Sequence, residues 1–90
     1  LEMYQVVALH KVDKKIYKLQ QKDKKKVFKL FSKLEINPLS RKLNIKKIKD
    51  SEKTFRIRIG KIRIIYTIIS QKKQVIITDI GYRGSMYRLF

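Results

Sequence analysis

Cysteine and tryptophan are absent from the 90 residues, histidine and proline occur once each, and there are only three glycines. Without cysteine the chain can build no disulfide framework, no zinc ribbon and no thiol nucleophile, and one histidine cannot make a histidine-rich metal site. No metal or other cofactor is therefore expected. Acidic residues are scarce too: seven stand against 24 lysines and arginines, for a formal net charge of +17. Long apolar runs are missing. The stretch from Ile62 to Ser70 is interrupted by Arg63 and falls far short of the roughly 20 residues that cross a bilayer. No secretory core segment is visible, so a cytoplasmic protein is expected. Leu1-Glu2 ahead of Met3 read as added residues, which leaves a single domain over 3–90.

What is present suffices for a core. Hydrophobic residues make up 43% of the chain and nine side chains are aromatic, well above the composition of a disordered polycation. The charge demands a partner, because so many like charges on a small domain repel one another. Nucleic acid and an acidic protein are the candidates. Lysine and arginine are also divided unevenly, with 15 of 18 lysines in residues 1–53 and five of six arginines in 54–90. Lysine is a hydrated point charge suited to a solvated face, whereas arginine presents a planar fork that grips two phosphate oxygens. The first half therefore reads as general attraction and the second as a specific anion site. Lysine-rich surfaces also occur without a partner, but there glutamate normally balances the charge, and here it does not.

Periodicity divides the chain the same way. Residues 4–9 form a short apolar run that reads as a first strand, followed by His10 as a surface or cap residue. From Lys11 to Gln20, the positions of Val12, Ile16 and Leu19 predict a short amphipathic helix. A second helix follows, with Asp23 as its N-cap and Val27, Leu30, Phe31 and Leu34 on one stripe that Phe28 widens. Asn37-Pro38 ends it. The two helices should form an antiparallel hairpin with its lysines mostly away from the core. Residues 39–53 read as a polar connection in which Leu43, Ile45 and Ile48 touch the core. Beyond it the pattern alternates. Thr54–Ile59, the pair Gly60-Lys61 and Ile62–Ile69 predict a β-hairpin with a type II′ turn, and Gln74–Ile80 a further strand after the Ser70–Lys73 turn. The expected fold is α+β, in the order β-α-α-β-β-β, with a helical hairpin on a mainly antiparallel four-stranded sheet.

The hairpin's register makes a chemical statement. A two-residue loop pairs 59 with 62 and 58 with 63, so Phe55, Ile57 and Ile59 share a face with Ile62, Ile64, Tyr66 and Ile68. The other, open face then carries Arg56, Arg58 and Arg63, with the last two directly opposite. Like charges so placed destabilise the ladder by up to about 1 kcal/mol, and the hairpin holds no acid to relieve them. Arginines that only blunt an exposed sheet remain an alternative, although lysine would serve that purpose as well. Grouped guanidiniums would stabilise the charge that builds on phosphate oxygens when a 2′-hydroxyl attacks RNA. Tyr66, Tyr82 and Tyr87 are the candidates for base stacking or proton transfer, the latter if a cationic neighbour lowers a phenol pKa.

The run Thr-Phe-Arg-Ile-Arg-Ile-Gly-Lys-Ile-Arg-Ile-Ile-Tyr at 54–66 and the run Tyr-Arg-Gly-Ser-Met-Tyr at 82–87 resemble the RelE branch of the RelE/ParE toxin superfamily of archaeal and bacterial toxin–antitoxin systems. The resemblance extends over essentially the whole chain from Met3. It implies a RelE-like mRNA interferase that enters the ribosomal A site and cuts messenger RNA through its 2′-hydroxyl without a metal. It also implies a cognate acidic, RelB-like antitoxin. Carried over position by position, Arg56, Arg58, Arg63, Arg83 and Tyr87 are the implied catalytic residues. Tyr82, Arg88, Lys61, Lys47 and Lys49 are assigned to RNA contact. Many relatives have histidine where this chain has Tyr82, and one branch has lysine where it has arginine on the second strand, so the general base stays open. Two other readings remain: a ParE-like poison of DNA gyrase on the same fold, and an RNA- or ribosome-binding module without catalysis.

Overall fold

The computed structural model describes residues 3–82. Its elements follow in the order β1 (Gln5–Ala8), α1 (His10–Tyr17), α2 (Gln21–Ile36), β2 (Ile45–Lys47), β3 (Thr54–Ile59), β4 (Ile62–Ile69), a single 3-10 turn over Ser70–Lys72, and β5 (Gln74–Tyr82). The strands form one mixed sheet in the order β1-β5-β4-β3-β2, antiparallel except where β1 runs parallel to β5. The α+β class and the helical hairpin are as expected, but the sheet has five strands rather than four. The added strand, β2, lies inside the presumed polar connection and is only three residues long. So short a segment shows no period of its own, and its two lysines mask it as loop. They also suit its position, since charge on an edge strand discourages pairing with other chains.

The core lies between the helices and one face of the sheet. Val12, Ile16 and Leu19 come from the first helical segment, and Val27, Leu30 and Leu34 from the second. The sheet contributes Ile57, Ile62, Ile64, Tyr66, Ile68, Val75, Ile77 and Ile80. Three local expectations need correction. Gln20, not Asp23, is the N-cap of α2; Asp23 falls in the first turn, where its carboxylate meets the positive end of the helix. α1 stops at Tyr17, and Leu19 is buried from the connection beyond it. Phe28 does not widen the core stripe: it is 55% exposed and meets Phe31 edge-on, with centroids 6.2 Å apart.

The β3–β4 register is the one the two-residue loop demands, with Ile59 opposite Ile62, Arg58 opposite Arg63 and Ile57 opposite Ile64. Gly60 has a φ of +55°, while Lys61 is not left-handed. Positive φ at the first loop position alone is the signature of a type II′ turn. A Cβ at position 60 would find ordinary space, 3.8 Å from the Lys26 ammonium, so the strain of a substitution there is all in the backbone. Gly60→Ala should therefore cost about 1–2 kcal/mol, measurable as a lower urea midpoint at unchanged m-value. Further along, β4 and β5 slip register between Ile65 and Tyr66. The extra residue, Thr78, hydrogen-bonds the Ile65 carbonyl through its hydroxyl at 3.3 Å. Such a bulge bends and twists the strand that follows, which here is the end of β5.

Tyr66 ties the sheet to the end of α2. Its ring is buried and stacked on Phe55 at 5.8 Å, and its hydroxyl donates to the Pro38 carbonyl at 2.7 Å. Burial pushes its phenol pKa well above the ordinary value. A neutral, buried phenol that holds a loop neither stacks on a base nor takes a proton, which removes Tyr66 from the functional candidates. No helix among the described residues is long and apolar enough to cross a membrane.

Candidate functional site

The face of the sheet opposite the helices is where the basic residues meet. In one cross-strand row Lys46 of β2 lies opposite Arg56 of β3, which lies opposite Ile65 of β4. In the next row Arg58 lies opposite Arg63, which lies opposite Gly81 of β5. Directly paired residues share a face, and the pair one step outside the hairpin's closing pair is the non-hydrogen-bonded kind, in which side chains approach most closely. Arg58 and Arg63 are such a pair. Consistent with this, the Arg58 amide turns the other way and donates to the Asn44 carbonyl at 3.1 Å. Two directly facing pairs of like charge, Lys46–Arg56 and Arg58–Arg63, therefore stand side by side.

Nothing acidic resolves this crowding for the exposed members. Among the described residues the one ion pair is Lys15 of α1 with Asp79 of β5, at 2.7 Å. Asp79 also accepts from the Ile80 amide at 2.8 Å, so that carboxylate is committed elsewhere. Among the described residues neither Arg56 nor Arg58 is paired with a carboxylate. Arg58 is exposed and Arg56 half-buried, with Lys46 exposed beside it. Arg63 differs, being only 2% exposed. The expectation of an open face holds at β3 and fails at β4, the central strand, where Ile62 to Tyr66 are all buried.

Other predicted residues are not brought to this place. Tyr82 lies opposite Ile62, on the helix side. Its hydroxyl donates to the Asp23 carboxylate at 2.9 Å. That hydrogen bond, with desolvation second, raises its phenol pKa. The expectation of a phenol made acidic by a cationic neighbour thus fails at Tyr82, and this side chain is not a base near neutral pH. Lys47 lies opposite Phe55, on the opposite face from the arginines, and Lys49 is exposed in the β2–β3 turn. Lys61 occupies the second position of the hairpin loop. Arg83, Tyr87 and Arg88 lie outside the described residues. Sequence reasoning missed Lys46, although a signal existed: if Leu43 and Ile45 turn inward, the alternating rule turns Lys46 outward with Arg56.

A facing set of guanidiniums with a lysine beside it has the chemistry to hold an anion. Arginine's fork suits phosphate oxygens. The profile of the family described as the ParE toxin of the type II toxin–antitoxin system parDE matches residues 8–87. The chain belongs to the RelE/ParE toxin family. A protein named as toxin RelE1 from Methanocaldococcus jannaschii is 34% identical over 84 residues, covering 91% of this chain and 93% of that protein. Among solved structures, the RelB–RelE antitoxin–toxin complex from Methanococcus jannaschii is similar at a TM-score of 0.76 and 27% identity, over 93% of this chain and 98% of that one. The RelE–RelB complex from Pyrococcus horikoshii OT3 reaches a TM-score of 0.81 at 24% identity, over 90% of this chain and 96% of that one, and so speaks for the fold. This RelE/ParE toxin is thus a type II toxin whose sheet carries its arginines on the face away from the helices.

Proposed function

We propose that this toxin is a ribosome-dependent endoribonuclease that cuts messenger RNA in the ribosomal A site, with the message's own 2′-hydroxyl as nucleophile. The observation that carries the reading is the alignment of Arg58 with Arg63 and of Arg56 with Lys46 on one face, with no carboxylate among the described residues paired to Arg56 or Arg58. In the proposed reaction the 2′-oxygen bonds to phosphorus as its proton leaves. The bond to the 5′-oxygen breaks, and that oxygen gains a proton. The products are a 2′,3′-cyclic phosphate and a 5′-hydroxyl.

Arg56, Arg58 and Lys46 would meet the non-bridging oxygens, where negative charge grows toward the transition state. Arg63, buried across the ladder from Arg58, would add its positive charge to the potential of this face. Arg83 and Tyr87 complete the implied catalytic set. Arginine stays protonated, and neither Tyr66 nor Tyr82 is a base near neutral pH. Rate enhancement would then come mainly from charge stabilisation and from ribosomal positioning of the message. The solved relatives are complexes with RelB, and an acidic, RelB-like antitoxin of this toxin would neutralise much of the +17 charge and block the face.

The test is purified toxin with translating ribosomes and a defined message. Cuts within the A-site codon that leave 2′,3′-cyclic phosphate ends, seen only when ribosomes are present, are the expected result. Intact message under those conditions would rule the reading out. The family profile's ParE description favours, as the second reading, a toxin directed at DNA gyrase. In that case toxicity should persist when Arg58 is replaced.

A further inference from the structure

α2 carries a second basic feature that the arginine face does not use. Lys22, Lys26, Lys29 and Lys33 are all exposed and follow one another at i, i+4, i+7 and i+11. On a helix this spacing confines them to an arc of roughly 60° and spreads them over about 16 Å of the axis. The stripe flanks the buried one made by Val27, Leu30 and Leu34 and looks toward the β3–β4 turn. Two hollows lie along it. One, of about 370 Å³, is lined by Lys26, Lys29, Lys33 and Lys42 and by the hairpin segment Ile57–Gly60. The other, of about 460 Å³, continues from Lys26 and Gly60 to Lys22, Lys61 and Tyr82. Sharing Lys26 and Gly60, they form a single trough around the hairpin tip. Among the described residues the first hollow has no acidic lining. In the second, Asp23 accepts the Tyr82 hydroxyl.

From this geometry we infer that the trough is a docking surface for the phosphate backbone of double-helical RNA. Successive lysines on a helix face lie about 5–6 Å apart and repel one another at a cost of a few tenths of a kcal/mol per pair. Asp23 is the only acidic residue between Lys22 and Lys33, and its carboxylate accepts the Tyr82 hydroxyl. A row of point charges suits a polyanion with repeating phosphates. Unpaired RNA is held by aromatic platforms, yet among the described residues Tyr82 is the only aromatic side chain in the lining. Duplex RNA offers phosphates and 2′-hydroxyls with its bases hidden, which is what a lysine-lined, stacking-poor trough can read. The inference is separate from the cleavage reading, because duplex binding is measured without ribosomes or message.

The test is fluorescence anisotropy of the full chain with a labelled 16-base-pair RNA duplex, across 50–300 mM KCl. Loss of about four phosphate contacts should make the slope of log K against log salt shallower by about 3–4. The Lys22→Gln, Lys26→Gln, Lys29→Gln, Lys33→Gln variant should show that change, together with an affinity loss on the order of 100-fold at the lowest salt. A variant of equal net charge, with glutamine at Lys11, Lys14, Lys18 and Lys72, should change the slope by less than about 1. Equal effects in the two variants would mean bulk charge and no trough. A single strand of equal length that binds as tightly as the duplex, with the same lysine dependence, would overturn the choice of ligand. So would unchanged duplex binding accompanied by weakened binding of an acidic antitoxin. Circular dichroism of both variants confirms that α2 persists.

Discussion

Alanine at Arg58 is expected to lower message cleavage on translating ribosomes by at least about 100-fold, the scale of losing one preorganised donor to a developing anion. Its thermal midpoint should stay level or rise. Arg58 is exposed and faces Arg63 across the close pair of the ladder, so its removal relieves a like-charge contact worth up to about 1 kcal/mol. A group kept for folding would show the reverse, lost stability with activity falling only in proportion. Arg58→Lys should recover only part of the rate, because a point charge cannot grip two oxygens at once. Loss of the same size is expected for Arg83→Ala. Full cleavage by a folded Arg58→Ala, Arg83→Ala double variant would remove the assigned site. Arg63 is a poorer probe, since at 2% exposure its truncation also opens a hole in the sheet.

Tyr66→Ala is expected to destabilise the fold by about 3–5 kcal/mol, in the range of large aromatic-to-alanine changes in a core. For a chain of this size each kcal/mol corresponds to about 4–8 °C in midpoint, so the variant should be largely unfolded at moderate temperature. Tyr66→Phe separates packing from the hydroxyl. It keeps the stack on Phe55 and removes the donor to Pro38, which should cost about 1–3 kcal/mol because a buried carbonyl is left without its donor. Cleavage by the folded Phe variant should match that of the parent; a large rate loss would return Tyr66 to the chemistry.

The pH dependence of this residue follows the same physics. Its phenol pKa is raised in the fold, so the folded state holds the proton more tightly than the unfolded chain. The stabilisation is fully present below the unfolded value of about 10 and is lost as pH rises toward the folded one. Urea midpoints of the parent should therefore fall above about pH 10. In Tyr66→Phe that decline should be much reduced.

The hairpin and the helical stripes were legible because each rests on local rules that no tertiary contact overrode. Glycine at the first loop position selected the turn, and the turn dictated that Arg58 meets Arg63. Phe28 shows where such reading stops: helical spacing tells which residues share an arc, but the width of the arc that is covered depends on what packs there. Asp23 shows it again, since any acid near a helix start looks like a cap. Which residue has extended backbone is settled by how the chain leaves α1. Strand β2 exists because an edge of β3 was available to it, a fact about the partner that Ile45–Lys47 themselves do not encode.

The sequence by itself determined the charge, the α+β order and the pairing of the arginines across one ladder, since these follow from composition, period and turn chemistry, while the family was legible only as a resemblance of the runs at 54–66 and 82–87. Only the tertiary structure decided that Lys46 joins Arg56, that Arg63 is buried while Arg58 is exposed, and that Tyr82 turns to Asp23. It also decided that the α2 lysines line a trough with the hairpin tip. Each of these depends on which elements are neighbours in space, and burial and long-range pairing are properties of that arrangement rather than of any local segment.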